Sequence, residues 1–213
     1  MSILCSAQRT DEIFRIGGGD VSLLVADLVG PSGIVVGVDN SVEALEAASQ
    51  RAAVAGFTNV TFVRSNLQAI SCGESFDALV GRFVLMHLAD PVGVLHHLAS
   101  LVRPGGLVVF QESDLSRPVY ALPITPLVEK FGCILSMAGA RVGAPEQQMG
   151  LKLYPTFLKA GLPAPRLRMN VPLGAGPDFP GYELLAGVIR SLLSIRYLAL
   201  PRMQSESGSN GDC

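Results

Sequence analysis

Residues 12–30 read EIFRIGGGDVSLLVADLVG, and the fold turns on how this stretch is parsed. A short apolar run, Ile13–Ile16, leads into Gly17, Gly18 and Gly19. The segment after them places Val21, Leu24, Val25 and Leu28 on one helical face, with Asp20 in front as an N-cap. Strand, glycine turn and helix in that order form a nucleotide-binding turn, because backbone N–H groups and the positive end of the helix dipole converge on a ligand. The turn is short for that use, and Arg15 stands where such a site wants an acidic group. A plain tight turn is the competing reading.

Outward from this stretch the chain alternates. GPSG stops the first helix and IVVGVD is a buried strand ending at Asp39. SVEALEAASQRAAVAG is a helix capped by Ser41 and terminated by Gly56, and NVTFVRSN is the next strand. A further strand lies within FDALVGRFVLMHL. DPVGVLHHLASLV is a helix with Asp90 as N-cap and Pro91 at its first position; RPGG closes it, and LVVFQE is again a strand. Near-continuous apolar strands alternating with helices predict an α/β fold with a doubly wound, mostly parallel sheet. Ligands of such sheets bind beyond the carboxyl ends of the strands, near the switch point. The candidate positions are therefore Gly17–Asp20, Asp39–Ser41, Asn66–Leu67, Arg82–His87 and Glu112–Asp114.

From about residue 115 the pattern changes. Residues 115–150 read as a helical, irregular lid over the strand ends. MGLKLYPTFLKAGL predicts a helix, APRLRMNV a strand and GYELLAGVIRSLLSIRYLAL a last helix. The tail from residue 201, rich in Ser and Gly, predicts disorder. One domain over residues 1–200 is expected, without internal repeats.

Composition narrows the function. Of 213 residues, 49% are hydrophobic and 16% charged, which suits a buried sheet. A net charge of −2 without a Lys/Arg run speaks against a nucleic-acid partner. Cys5, Cys72, Cys133 and Cys213 form no CxxC pair, the pattern of free thiols rather than of a disulfide framework or a metal site. No apolar run approaches the roughly 18 residues that span a bilayer, and residues 1–12 make a poor signal peptide. A cytoplasmic protein without a membrane partner is expected.

Asp39 strengthens the glycine turn. It lies at the end of the next strand, about 20 residues on, where a carboxylate accepts hydrogen bonds from both ribose hydroxyls of an adenosine. It also suits a cap of the following helix, although Ser41 can fill that place. One strand further over, the Asn66 amide could meet an adenine edge with Leu67 on the ring face; a simple strand-end turn would explain both equally well.

Four stretches together carry a family resemblance: GGGDVSLLVADLVGPSGIVVGVDNS, NVTFVRSNLQAI, FDALVGRFVLMHLADP and LVRPGGLVVFQE. Over roughly residues 13–190 the chain resembles the class I S-adenosylmethionine-dependent methyltransferases, in the small-molecule branch that includes ubiquinone/menaquinone-type enzymes. The resemblance implies a Rossmann-like fold with S-adenosyl-L-methionine as cofactor. It implies that Gly17–Gly19 form the cofactor loop, Asp39 holds the ribose with Asn40 beside it, Asn66 and Leu67 frame the adenine, and Arg82 and His87 border the methionine end. The acceptor would be a small, fairly apolar molecule under the 115–150 segment.

The departures from the family pattern carry expectations too. An acidic residue two before a G-x-G-x-G turn is replaced by Arg15 before three glycines, so the loop reads as shortened and its affinity for the cofactor as weakened. Relatives carry a helix ahead of the first strand, whereas a dozen residues stand here. They close with a β-hairpin, of which APRLRMNV supplies one arm; a sheet lacking its final strand would leave the LVVFQE edge open to self-pairing as a homo-oligomer. Methyl transfer from a sulfonium needs chiefly alignment. His87 is the candidate base if the acceptor must lose a proton, Glu112 and Asp114 could touch the acceptor, and His96 and His97 read as packing residues. Two rivals remain: a non-catalytic binding or assembly module on the same fold, and a dinucleotide-dependent oxidoreductase, against which the absent G-x-G-x-x-G spacing argues.

Overall fold

Apolar runs too short for helices but rich in valine become strands, and the intervening amphipathic segments become the helices that cover them. The computed structural model describes residues 13–16, 20–71, 75–114 and 146–170, together with positions 126 and 130. In chain order the elements are β1 (Ile13–Ile16), α1 (Asp20–Val29), β2 (Val35–Asp39), α2 (Val42–Val54), β3 (Val60–Arg64), β4 (Phe76–Arg82), a 3-10 turn (Leu85–His87), α3 (Pro91–Ala99), β5 (Val102–Gln111) and α4 (Met149–Lys159). The chain divides into two compact units, Met1–Asp114 with Glu146–Pro165, and Leu115–Pro145 with Arg166–Cys213. All of these elements belong to the first.

The five strands form one sheet in the order β3-β2-β1-β4-β5, with every pairing parallel. Strand β1 is central: Arg15 stands level with Gly37 on one side and Val80 on the other. The chain winds outward from β1 through β2 to β3, then returns to β4 on the other flank. The switch point therefore lies between β1 and β4, as a doubly wound sheet requires.

Helix α1 buries a different face from the one its leucines mark. Ser22, Val25, Ala26 and Val29 point into the protein, while Leu24 is 56% and Leu28 69% exposed. The spacing of 22, 25, 26 and 29 is as helical as the leucine stripe. Its small residues let the helix axis approach β2 closely, where Val35 and Val38 are fully buried. The helix begins at Asp20 itself and ends where Gly30 takes a φ of +70°, a left-handed stop that glycine adopts without strain. Beyond it, the Asn59 amide Nδ2 donates to the carbonyls of Ala26, Gly30 and Gly33 at 2.8–3.3 Å. One side chain thus satisfies the carbonyls at the end of α1 and fixes the turn into β2.

Two apolar clusters result. The first gathers α1, β2, β4 and α3 around Val25, Val35, Leu79 and Leu98; the second joins Leu85, Met86 and Leu95 to Met149, Leu153 and Phe157 of α4. Strand β5 starts earlier than the sequence suggests and takes in RPGG. Its register against β4 jumps from Phe76–Val102 to Ala78–Leu107, so the proline and glycines form a bulge rather than a helix stop. Gly106 is required there: a Cβ would lie 2.6 Å from the Asp77 carbonyl oxygen.

The strand expected over APRLRMNV is a correction. Residues 162–170 have no regular structure, and both Leu167 and Met169 are exposed. Alternation alone does not hold a strand, which needs a paired neighbour for its backbone groups. The glycines Gly17, Gly18 and Gly19, most of the 115–150 segment, the last helix and the tail lie outside the described residues.

Candidate functional site

The carboxyl ends of the five strands bring the predicted positions to one edge of the sheet. On the β2 flank the backbone leaves the strand at Asp39, which has no solvent exposure. Its Oδ1 accepts the N–H of Ser41 at 2.9 Å. Ser41 in turn caps α2, its hydroxyl accepting from Ala44 N at 3.1 Å. The two readings weighed for Asp39 thus separate. Ser41 is the helix cap, and Asp39, two residues before it, fixes the turn between them. Asn40 is exposed, with its carbonyl held by Arg64 Nε at 3.2 Å.

At the β3 tip, Asn66 is exposed and its Oδ1 accepts from Gln68 N at 3.0 Å. That is a side-chain turn made by Oδ1, which does not use the amide nitrogen. Leu67 is 5% exposed and sits in the first apolar cluster, so its side chain serves the core. Asp39 and Asn66 therefore stand on adjoining strand tips, with Leu67 packed beneath them.

On the β4 flank the geometry is unusual. Arg82 ends the strand, its guanidinium carbon 4.8 Å from the centre of the Phe83 ring, and its Nε is buried without a hydrogen-bond partner among the described residues. Phe83 has φ +55°, a left-handed conformation that costs a side-chain-bearing residue about 1 kcal/mol or more. Its N–H donates to the Gln111 carbonyl at 2.9 Å. The next two amides, Val84 and Leu85, donate to Glu112 Oε1 at 2.9 and 2.8 Å. Glu112 is thereby settled as a cap, but of the neighbouring strand's turn rather than of its own. Burial pushes its carboxyl above the ordinary range, opposed by the amides of Val84, Leu85 and Met86.

His87 closes the 3-10 turn and is exposed as a residue, while desolvation of its ring holds its pKa below the usual histidine value. The shift favours the neutral ring, the form that accepts a proton. His96 and His97 are packing residues: Nδ1 of His96 donates to the Ala160 carbonyl at 2.9 Å and Nε2 of His97 to that of Ile70 at 2.8 Å. The start of α4 locks onto the same edge, with Glu146 N donating to Met86 O at 2.6 Å and Gly150 N to Ser113 O at 3.1 Å.

Sequence reasoning missed the strained turn at Phe83 and the reach of Glu112 across to β4. Neither glycine nor asparagine marks position 83, so no local signal announces a positive φ. Among the described residues no group of His, Cys, Asp and Glu could hold a metal ion. Nor is any described helix long and apolar enough to cross a membrane.

Comparison with known proteins agrees with this arrangement. A solved S-adenosylmethionine-dependent methyltransferase from Aquifex aeolicus superposes with a TM-score of 0.55 over 74% of each chain at 17% identity. The YcgJ protein of Bacillus subtilis superposes at 0.53 over 71% of this chain and 61% of its own, at 18% identity. At those identities the likeness shows the fold, which is the Rossmann-like one expected. In sequence, the demethylmenaquinone methyltransferase of Shouchella clausii is 32% identical over 99 residues, 46% of this chain and 42% of that protein. The ubiquinone biosynthesis O-methyltransferase of Vibrio vulnificus is 32% identical over 105 residues, 48% and 42% respectively. The chain thus spans less than half the length of these relatives. The pattern of the family described as a methyltransferase domain matches residues 17–133, more than half of the chain and all of the strand tips from β2 to β5. With that match on this fold, the chain belongs to the methyltransferase-domain family.

Proposed function

We propose that the protein is an S-adenosylmethionine-dependent methyltransferase acting on a small, largely apolar acceptor of the quinone class. The observation that carries the reading is Asp39: a buried carboxylate at the tip of the strand beside β1, oriented by the Ser41 amide, within the family match. The position suits a ribose diol, and the amide nitrogen of exposed Asn66 on the next tip suits an adenine acceptor nitrogen. A nucleoside reaching Asp39 must displace what now covers it. Arg82 and His87 border the methionine end on the β4 side, and Gly17–Gly19 complete the cofactor loop.

Bound S-adenosylmethionine supplies a methyl group on a sulfonium, already an excellent leaving group. The protein's share is alignment of the acceptor and exclusion of water. A quinone ring is electrophilic, so the nucleophile must be its reduced form. Neutral His87 is the group able to take a proton from it. The quinone class is suggested by the names of the relatives, demethylmenaquinone methyltransferase and ubiquinone biosynthesis O-methyltransferase.

Calorimetry with S-adenosylhomocysteine, followed by methyl transfer to reduced demethylmenaquinone, tests the proposal. Saturable binding at micromolar concentration and a methylated product support it. Exposed Leu107 and Val109 on β5 favour a second reading, an assembly module on the same fold. An oligomer whose melting temperature ignores the cofactor would favour that module over the enzyme.

A further inference from the structure

Glu112 does something that neither the family match nor the cofactor assignment calls for. Its Oε1 takes two consecutive amides, Val84 and Leu85, from a turn on the neighbouring strand. Its Oε2 is buried and makes no hydrogen bond among the described residues. A carboxylate placed only to satisfy its own strand end would not be desolvated in this way, because an unpartnered buried oxygen costs stability.

The turn it grips begins at strained Phe83, follows Arg82 and ends at His87. Three further bonds hold this region: Phe83 N to Gln111 O joins the two strand tips directly, while Glu146 N to Met86 O and Gly150 N to Ser113 O tie the segment at the start of α4 to the turn and to the end of β5. Those three run between backbone atoms, so any residues could make them. The Glu112 clamp is the one contact among the four that depends on a side chain.

Resting on the methyltransferase reading above, we propose that Glu112 is a positioning residue for methyl transfer. By clamping the amides of Val84 and Leu85 it holds the Phe83–His87 turn in its strained form, and so fixes where the acceptor stands relative to the donor. Glu112 exchanges no proton with either. Its effect lies on alignment, a demand that an in-line displacement makes sharply and that cofactor binding at Asp39 and Asn66 does not share.

Glu112→Ala, Glu112→Gln and the wild type distinguish this role from a purely structural one. The measurements are amide hydrogen exchange at Val84 and Leu85, S-adenosylhomocysteine affinity, and kcat with reduced demethylmenaquinone as the probe acceptor. In Glu112→Ala the two amides should lose protection and kcat should fall about a hundredfold, while cofactor affinity, which the turn touches only through Arg82 and His87 at the methionine end, should fall by less than about tenfold. Glu112→Gln keeps an oxygen for both amides and should recover most of the rate. If Glu112→Ala does not fold, Glu112→Asp, one methylene shorter, should reproduce the loss of rate with its charge intact.

A glutamine variant as slow as the alanine one would overturn the proposal in favour of a role for the charge itself. An alanine variant with unprotected amides and wild-type kcat would overturn it outright. A parallel fall in cofactor affinity and melting temperature would reduce Glu112 to a structural strut. A wild-type chain that neither binds S-adenosylhomocysteine nor methylates would instead bring down the parent reading, and this inference with it.

Discussion

The carboxylate of Asp39 accepts the backbone N–H of Ser41 at 2.9 Å, and Ser41 then caps α2 through Ala44 N. The two residues divide what looks in the sequence like a single job. The serine takes the helix cap, and the aspartate is held by the Ser41 amide with its carboxylate at the β2 tip. A side chain oriented before its ligand arrives loses less entropy on binding.

Asp39→Asn keeps the size and one acceptor oxygen but removes the charge. Losing charge-assisted bonds of about 1.5–3 kcal/mol should weaken S-adenosylhomocysteine roughly tenfold to hundredfold. Calorimetry on the wild type and the variant measures this, with a melting curve on each to show that the fold persists. An unchanged binding constant would remove Asp39 from the ribose site.

Asn59 makes the opposite prediction. Its amide serves the Ala26, Gly30 and Gly33 carbonyls, at the amino ends of the parallel strands and so across the sheet from the ligand edge. Asn59→Ala should lower stability by about 1–3 kcal/mol, since it removes the amide donor shared by the Ala26, Gly30 and Gly33 carbonyls and leaves Gly30 O only its bond from Gly33 N at 3.2 Å. Denaturant unfolding would read that loss, and cofactor affinity measured well below the transition should stay as in the wild type.

The strand and helix order was legible because it depends on local pattern. Valine-rich runs separated by capped helices admit few other folds, and Asp90 before Pro91 marks the start of α3 as the caps predict, its Oδ1 accepting from Gly93 N at 2.9 Å. What escaped is set by packing between elements. The buried face of α1 follows Ala26 rather than Leu24, because closeness to the sheet counts for more there than side-chain size. APRLRMNV alternates as a strand does, yet a ladder needs a neighbour that alternation cannot supply. For the site, Asp39 and Asn66 were found because strand ends are where ligands bind. The partner of Glu112 lies 27 or 28 residues earlier in the chain, and no spacing rule reaches that far.

The bulge in β5 gives a prediction about glycine that is steric rather than conformational. At Gly106 an added Cβ would meet the Asp77 carbonyl oxygen at 2.6 Å and Val102 Cγ1 at 2.5 Å. The backbone oxygen cannot swing aside as a side chain could. Gly106→Ala should therefore destabilise by about 1–3 kcal/mol through overpacking, despite the entropy that alanine removes from the unfolded chain. Equilibrium unfolding would show it, and a variant as stable as the wild type would mean that the bulge opens more readily than its contacts imply.

Glu112 should also leave a mark on stability as pH changes. Burial raises its carboxyl pKa in the fold, ahead of the opposing backbone amides. A raised acid holds its proton more tightly folded than unfolded. Its contribution is therefore fully present below the unfolded value of about 4.3 and is lost as pH rises through the higher folded value. Glu112→Gln does not ionise and still offers an oxygen to Val84 and Leu85, so it escapes that loss. Melting temperatures of the two proteins from pH 4 to pH 8 should diverge in the variant's favour as pH rises. A gap that stays constant, or that shifts toward the wild type at neutral pH, would mean that the two amides hold the carboxylate ionised more strongly than burial opposes it.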